Sequence, residues 1–275
     1  MITKIPKSRI KPWSNFISLA AAGILLAGCS LPLSISPTPS ATRIPPSPTP
    51  LVPLDTPTAI PPTPTSLPTI TPTPAPEVIN FTLGTTAAVV TGNVQPGQVV
   101  AYTLSAGQDQ PMILLLESPH GDVTLGVLEP NGNKLLDPAL KWNQWQWVLP
   151  RTEIYTIQVI GGASTESYTL TAKVAQLVNF DLGATSTSLN GTTLNGYLVS
   201  YAFSCKAGQT MTVSLSVPSA TAYFDVFGIA TGTLVSVNAK AITWTGVLPQ
   251  TQAYVIEVVP ANGLVVDYSL TVSVH

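Results

Sequence analysis

Several groups of side chains in this sequence are of types that do chemistry. Ser118, His120 and Asp122 fall within Glu117-Ser118-Pro119-His120-Gly121-Asp122, where a nucleophile, a base and an acid would suggest acyl transfer. Pro119 and Gly121 make that segment a turn, and no Gly-x-Ser-x-Gly elbow occurs in the chain, so a solvent loop is expected. Glu129, Asn131, Asn133 and Asp137 place side-chain oxygens at loop spacing, as calcium would require, but too few and without the flanking helices of an EF-hand. Asn131-Gly132 reads instead as a hairpin turn, and no metal is expected. Cys205, with no evident histidine partner, reads as a small buried hydrophobe rather than a thiolate. The chain is therefore read as a non-enzyme without a catalytic residue or cofactor. What is left is a binding signal: Lys141, Trp142, Gln144, Gln146 and Trp147 crowd one segment, aromatics to stack on sugar rings beside groups that hydrogen-bond.

Composition narrows the partners. Only 9% of the 275 residues are charged, against roughly 25% in ordinary soluble chains. Residues 79–275 carry six Lys/Arg and eleven Asp/Glu with no run of either sign, so nucleic acid, which demands clustered cations, is not a partner. Two cysteines and two histidines cannot build a four-ligand zinc site.

The N-terminus reads as an address. Lys4, Lys7, Arg9 and Lys11 precede an apolar stretch over 16–28, which is too short for the ~20 residues of a membrane-spanning helix. It ends in Leu26-Ala27-Gly28-Cys29, which resembles the lipobox of bacterial lipoproteins. That resemblance implies cleavage after residue 28 and acylation of Cys29, anchoring the chain on the outer face of a membrane in the bacterial cell envelope, with its domains extracellular or periplasmic. Residues 29–78 follow as a linker; sixteen of the 27 prolines fall within 30–77, interleaved with Ser and Thr. Proline fixes φ and removes a donor, so a disordered, semi-rigid stalk of polyproline-II type is expected.

Beyond the stalk the sequence is duplicated. Phe81-Thr82-Leu83-Gly84 returns as Phe180-Asp181-Leu182-Gly183, Tyr102 as Tyr201, Val148-Leu149-Pro150 as Val247-Leu248-Pro249 and Tyr155 as Tyr254. Two units result, 79–175 and 176–275. Runs such as Met211-Thr212-Val213-Ser214-Leu215-Ser216-Val217 alternate with period two, and Pro138 interrupts the one helical candidate. The fold class expected is all-β: two tandem antiparallel, jelly-roll-like β-sandwiches behind the stalk. The joint 175–178 contains neither proline nor glycine, so the units should be closely coupled.

The duplication sorts the tryptophans. Trp145 has the counterpart Trp244, so both should be core, whereas Trp142 and Trp147 are matched by Ala241 and Gly246. Aromatics added to one copy suit a stacking platform, or else fill a core gap or the seam between units. A regular strand puts Trp147 on the inward face with Trp145 and leaves Trp142 for a ligand, whereas a bulge would turn Trp147 outward.

The ordered set Leu182-Gly183-Ala184-Thr185, Ala207-Gly208-Gln209-Thr210-Met211-Thr212-Val213, Trp244-Thr245-Gly246-Val247-Leu248-Pro249 and Tyr268-Ser269-Leu270-Thr271-Val272 resembles the bacterial pre-peptidase C-terminal domain. The first unit follows the same pattern more loosely. The resemblance implies accessory β-sandwiches that in some members bind collagen or polysaccharide, sometimes with calcium. No peptidase domain accompanies them in this sequence. The expected function is a lipid-anchored, non-enzymatic surface protein that binds an extracellular polymer such as polysaccharide, or a matrix protein. The alternative is a spacer or accessory subunit assisting a separate secreted hydrolase.

Overall fold

Apolar residues at alternate positions give each strand one face to bury, and glycine- or proline-bearing turns end the runs. The computed structural model describes residues 75–275 apart from 195, 219 and 220. The leader, Cys29 and the linker to residue 74 lie outside the described residues. The first repeat forms β1 (Glu77–Val78), β2 (Ala87–Val94), β3 (Val99–Ala106), β4 (Pro111–Glu117), β5 (Thr124–Leu128), β6 (Lys134–Leu136), β7 (Gln144–Val148), β8 (Glu153–Ile160) and β9 (Glu166–Val174). The second forms β10 (Gln176–Leu177), β11 (Ser186–Thr193), β12 (Val199–Cys205), β13 (Thr210–Ser216), β14 (Ala222–Gly228), β15 (Gly232–Val235), β16 (Thr243–Val247), β17 (Gln252–Pro260) and β18 (Val266–Val274). No α-helix occurs among the described residues; Pro138–Leu140 is a single 3₁₀ turn. The chain is all-β.

Each repeat makes a five-stranded and a four-stranded sheet, with the same strand order in both. The five-stranded sheets run β1-β3-β8-β5-β6 and β10-β12-β17-β14-β15; the four-stranded ones run β2-β9-β4-β7 and β11-β18-β13-β16. Pairing is antiparallel except for β1 with β3 and β10 with β12. Glu77 and Val78, which composition groups with the linker, thus form the outer strand of the first sandwich. The short joint is likewise ordered: Ala175 is buried and Gln176–Leu177 open the second sandwich as β10.

Each sandwich has its own core. Leu104, Met112, Leu114, Leu125, Ile157 and Leu170 fill the first; Phe203, Met211, Phe224, Tyr254, Ile256 and Leu270 fill the second. Burying such side chains yields roughly 1.5–3 kcal/mol apiece, and this drives the two sheets together. The tyrosine hydroxyls in these cores are paired. Tyr102 on β3 meets Tyr168 on β9 at 2.6 Å, and Tyr201 on β12 meets Tyr268 on β18 at 2.7 Å, each joining the two sheets of its sandwich. Tyr155 and Tyr254 donate to the carbonyls of Arg151 and Gln250, both at 2.7 Å, and so fix the turn entering β8 and β17.

A third apolar cluster, Ala175, Ala202, Ile229, Ala253 and Val255, with Val148 and Phe227 packed on it, lies where the sandwiches meet. Polar bonds cross the same seam: the Ser200 N–H donates to Thr86 Oγ1 at 2.8 Å, Gln146 Nε2 to the Ile229 carbonyl at 2.8 Å, and Lys173 Nζ to Glu257.

Candidate functional site

The strand β7 carries the aromatic segment. It is the edge of its sheet and pairs with β4 in unbroken register, Trp145 opposite Leu114 and Trp147 opposite Met112. Period two therefore places both indoles on the core side of the sheet, and no bulge re-aims Trp147. They differ in depth. Trp145 is 6% exposed and sits among the core residues, whereas Trp147 is 40% exposed.

The second sandwich explains the difference. A Cβ at Gly246 would lie against the Trp244 ring, so that indole folds over the glycine and fills the space Trp147 occupies in the first copy. Trp244 is accordingly half-buried, packed against the core rather than inside it. With a second indole at 147, Trp145 goes deeper and Trp147 is left at the rim.

Trp142, 38% exposed, precedes β7 in a loop that bridges the two sheets. Its carbonyl accepts from the Leu125 N–H and that of Asn143 from the Leu116 N–H, both at 2.8 Å, so the loop is tied to β5 and β4. Lys141 takes up the left-handed conformation (φ 55°) as the 3₁₀ turn ends, and its side chain is exposed. Gln144 is exposed too, but Gln146 is half-buried and committed to the seam through Ile229. Of the five residues, Lys141, Trp142, Gln144 and Trp147 are open to a ligand. A bend at Asn143 separates Trp142, in the loop, from Trp147, on β7, so the two indoles are carried by different segments.

The remaining candidates resolve differently. His120 Nδ1 contacts Glu166 Oε1 at 2.8 Å rather than Asp122, and Ser118 Oγ accepts from the Gly121 N–H at 3.1 Å. The hydroxyl caps a turn and does not face the imidazole as a nucleophile would. Asp122 Oδ2 accepts from the Ala163 N–H at 2.8 Å, and this bond chiefly holds its carboxyl below the usual carboxylate range. Glu129 Oε2 accepts from Asn133 Nδ2, Asn131 Oδ1 from the Asn133 N–H, and Asp137 Oδ1 from the Ala139 N–H and Lys134 Nζ. Each of these oxygens serves a local turn, and Ser236 plays the part of Asp137 in the second copy, accepting from the Asn238 N–H at 3.2 Å. Cys205 is buried in the second core, and burial pushes its thiol up to about 11, so it is protonated at neutral pH.

Sequence reasoning missed the charged cluster of Lys173, Asp225 and Glu257 at the seam. One signal was present: Asp225 and Glu257 each interrupt a strand face whose neighbouring positions, Phe227 and Val255, are apolar.

No family model matches the chain, and no curated protein matches it. Among solved structures it is similar to Aeromonas hydrophila PliG, a periplasmic inhibitor of g-type lysozyme, at 31% identity over 37% of this chain and 96% of that one, with a TM-score of 0.33. It is similar also to Salmonella Typhimurium PliG, an inhibitor of the same kind, at 15% identity over 35% of this chain and 95% of that one (TM-score 0.29). The CUB1-EGF-CUB2 portion of human MASP-1/3 aligns at 7% identity over 69% of this chain and 100% of that one (TM-score 0.21).

Proposed function

We propose that this chain is a non-enzymatic binding protein, lipid-anchored through Cys29 in a bacterial envelope, whose two pre-peptidase-C-terminal-type sandwiches engage an extracellular polysaccharide or matrix protein. The observation that carries the reading is the pair of half-exposed indoles, Trp142 and Trp147, on the rim of the first sandwich. Their counterparts, Ala241 and Gly246, leave the second rim without them. Stacking of an exposed indole on a ligand contributes on the order of 1 kcal/mol per ring beyond the area it covers. Lys141 and Gln144 stand beside the two indoles to hydrogen-bond polar groups of a ligand.

The test is binding of the chain to insoluble polysaccharides and to collagen, with Trp142→Ala/Trp147→Ala as the comparison. Binding should weaken by roughly 25-fold for two rings at about 1 kcal/mol each and 1.4 kcal/mol per decade, while the unfolding temperature falls by only a few degrees. Undiminished binding by the double variant would remove the site. For the anchor, Cys29→Ser should abolish labelling by a fatty-acid probe and release the protein from the membrane fraction; unchanged labelling would exclude Cys29 as the acylated residue.

A further inference from the structure

The face by which the second sandwich meets the first carries two acids and receives one base. Asp225 on β14 and Glu257 on β17 are directly opposed in register, so both side chains leave the sheet on one face, an arrangement in which like charges repel. Lys173, arriving from β9 of the first sandwich, donates to both Glu257 oxygens at 2.9 and 2.8 Å, and Ser200 Oγ donates to Glu257 Oε1 at 3.1 Å. Glu257 is thereby satisfied. Asp225 is not: its Oδ1 is buried without a hydrogen-bond partner among the described residues.

Among the described residues, Lys173 is the cation whose charge acts on the Asp225 carboxyl. Beside β14, strand β15 (Gly232–Val235) contains no ionisable residue, and β12 contributes the Ser200 hydroxyl. Lys240, following the 3₁₀ turn Val237–Ala239, has its Nζ 6.0 Å above the Tyr223 ring. Val255 and Phe227, on the same strand faces as Glu257 and Asp225, belong to the apolar seam cluster, and Asp225 beside them is half-buried. With every group ionised, one negative charge is left over in a place where it is poorly solvated.

We propose that the joint between the two sandwiches is a proton-operated latch, closed with one proton held by the Asp225–Glu257 pair and loosened when that proton leaves. Protonated Asp225 gains an O–H donor and cancels the surplus charge. Desolvation first, and then the Glu257 charge, push the Asp225 carboxyl up to about 7, with Lys173 offsetting only part of this. In an open, hydrated joint the same carboxyl returns toward its ordinary 3.8. The closed joint thus binds the proton more tightly than the open one, and protonation favours closure. That contribution is complete below about pH 4 and is lost as the pH rises through about 7.

The Ser200 amide reports on the latch, because its N–H donates across the seam to Thr86. Hydrogen exchange on the full chain between pH 5 and pH 8, expressed as protection relative to the intrinsic rate, should show Ser200 losing on the order of tenfold or more as the pH rises. Amides inside either core, such as that of Tyr254, should change little. Asp225→Asn keeps the side-chain shape and removes the titration, so its Ser200 protection should be flat across the range. A flat profile in the parent chain, or a slope that survives in Asp225→Asn, overturns the proposal. If that variant does not fold, the carboxyl ¹³C shift of Asp225 in the parent chain decides: a midpoint near 7 supports the latch and one near 4 overturns it.

Discussion

The tyrosine pairs show how much one side chain can require of its neighbour. Gly92 and Gly191 lie opposite Tyr168 and Tyr268 in register, on the edge strands β2 and β11. A Cβ on either glycine would stand 2.5 Å from the phenolic oxygen. The ring cannot swing aside, because its hydroxyl is bonded to Tyr102 or Tyr201 in the opposite sheet, and it covers backbone that the glycine leaves bare. Gly191→Ala should therefore cost about 2 kcal/mol by overpacking. Tyr268→Phe should cost about 1–3 kcal/mol, since it leaves the buried Tyr201 hydroxyl unpaired. Adding Tyr201→Phe should restore part of that loss, because both partners are then apolar. Urea midpoints for the three variants check this, and a double variant as unstable as the sum of the singles would contradict it.

At the scale of elements, β7 shows what an edge strand does with a regular pattern. Both tryptophans obey period two and face the core side, yet one is enclosed and the other overhangs the rim. On an edge strand, facing inward and being buried are separate properties. Trp145→Ala should cost about 3–5 kcal/mol as a core deletion. Trp147→Ala should cost roughly 1 kcal/mol, the ordinary size of a peripheral substitution. Chemical denaturation of the two single variants measures the contrast, and equal losses would make Trp147 a core residue unavailable to a ligand.

On the scale of the whole molecule, the seam turns two sandwiches into a coupled pair. Lys173 is 18% exposed and Glu257 only 4%, so their ion pair is largely out of water, and its value lies in neither charge being left alone. Lys173→Met should destabilise the joint by about 3–5 kcal/mol, because buried Glu257 and half-buried Asp225 are then left without a cation. Lys173→Met combined with Glu257→Gln should recover much of this. Limited proteolysis between the sandwiches, together with scattering for the spread of their separation, would register the loss, and a Lys173→Met chain as tightly coupled as the parent would refute it.

The sequence alone determined what depends on neighbours along the chain. Period two specified strands and their inward faces, the repeat of about one hundred residues announced two like units, and Asn131-Gly132 marked a hairpin. Unrepeated Trp142 and Trp147 stood out as candidates for the same reason. The tertiary structure alone decided how deep each indole sits, that His120 turns to Glu166 instead of Asp122, and that Gln146 belongs to the seam. It also brought Lys173 onto Glu257, 84 residues away. Strand faces follow from a local pleat that each residue passes to the next. Which faces of two finished sandwiches meet depends on the fit of surfaces assembled from distant segments, and no local spacing encodes that fit.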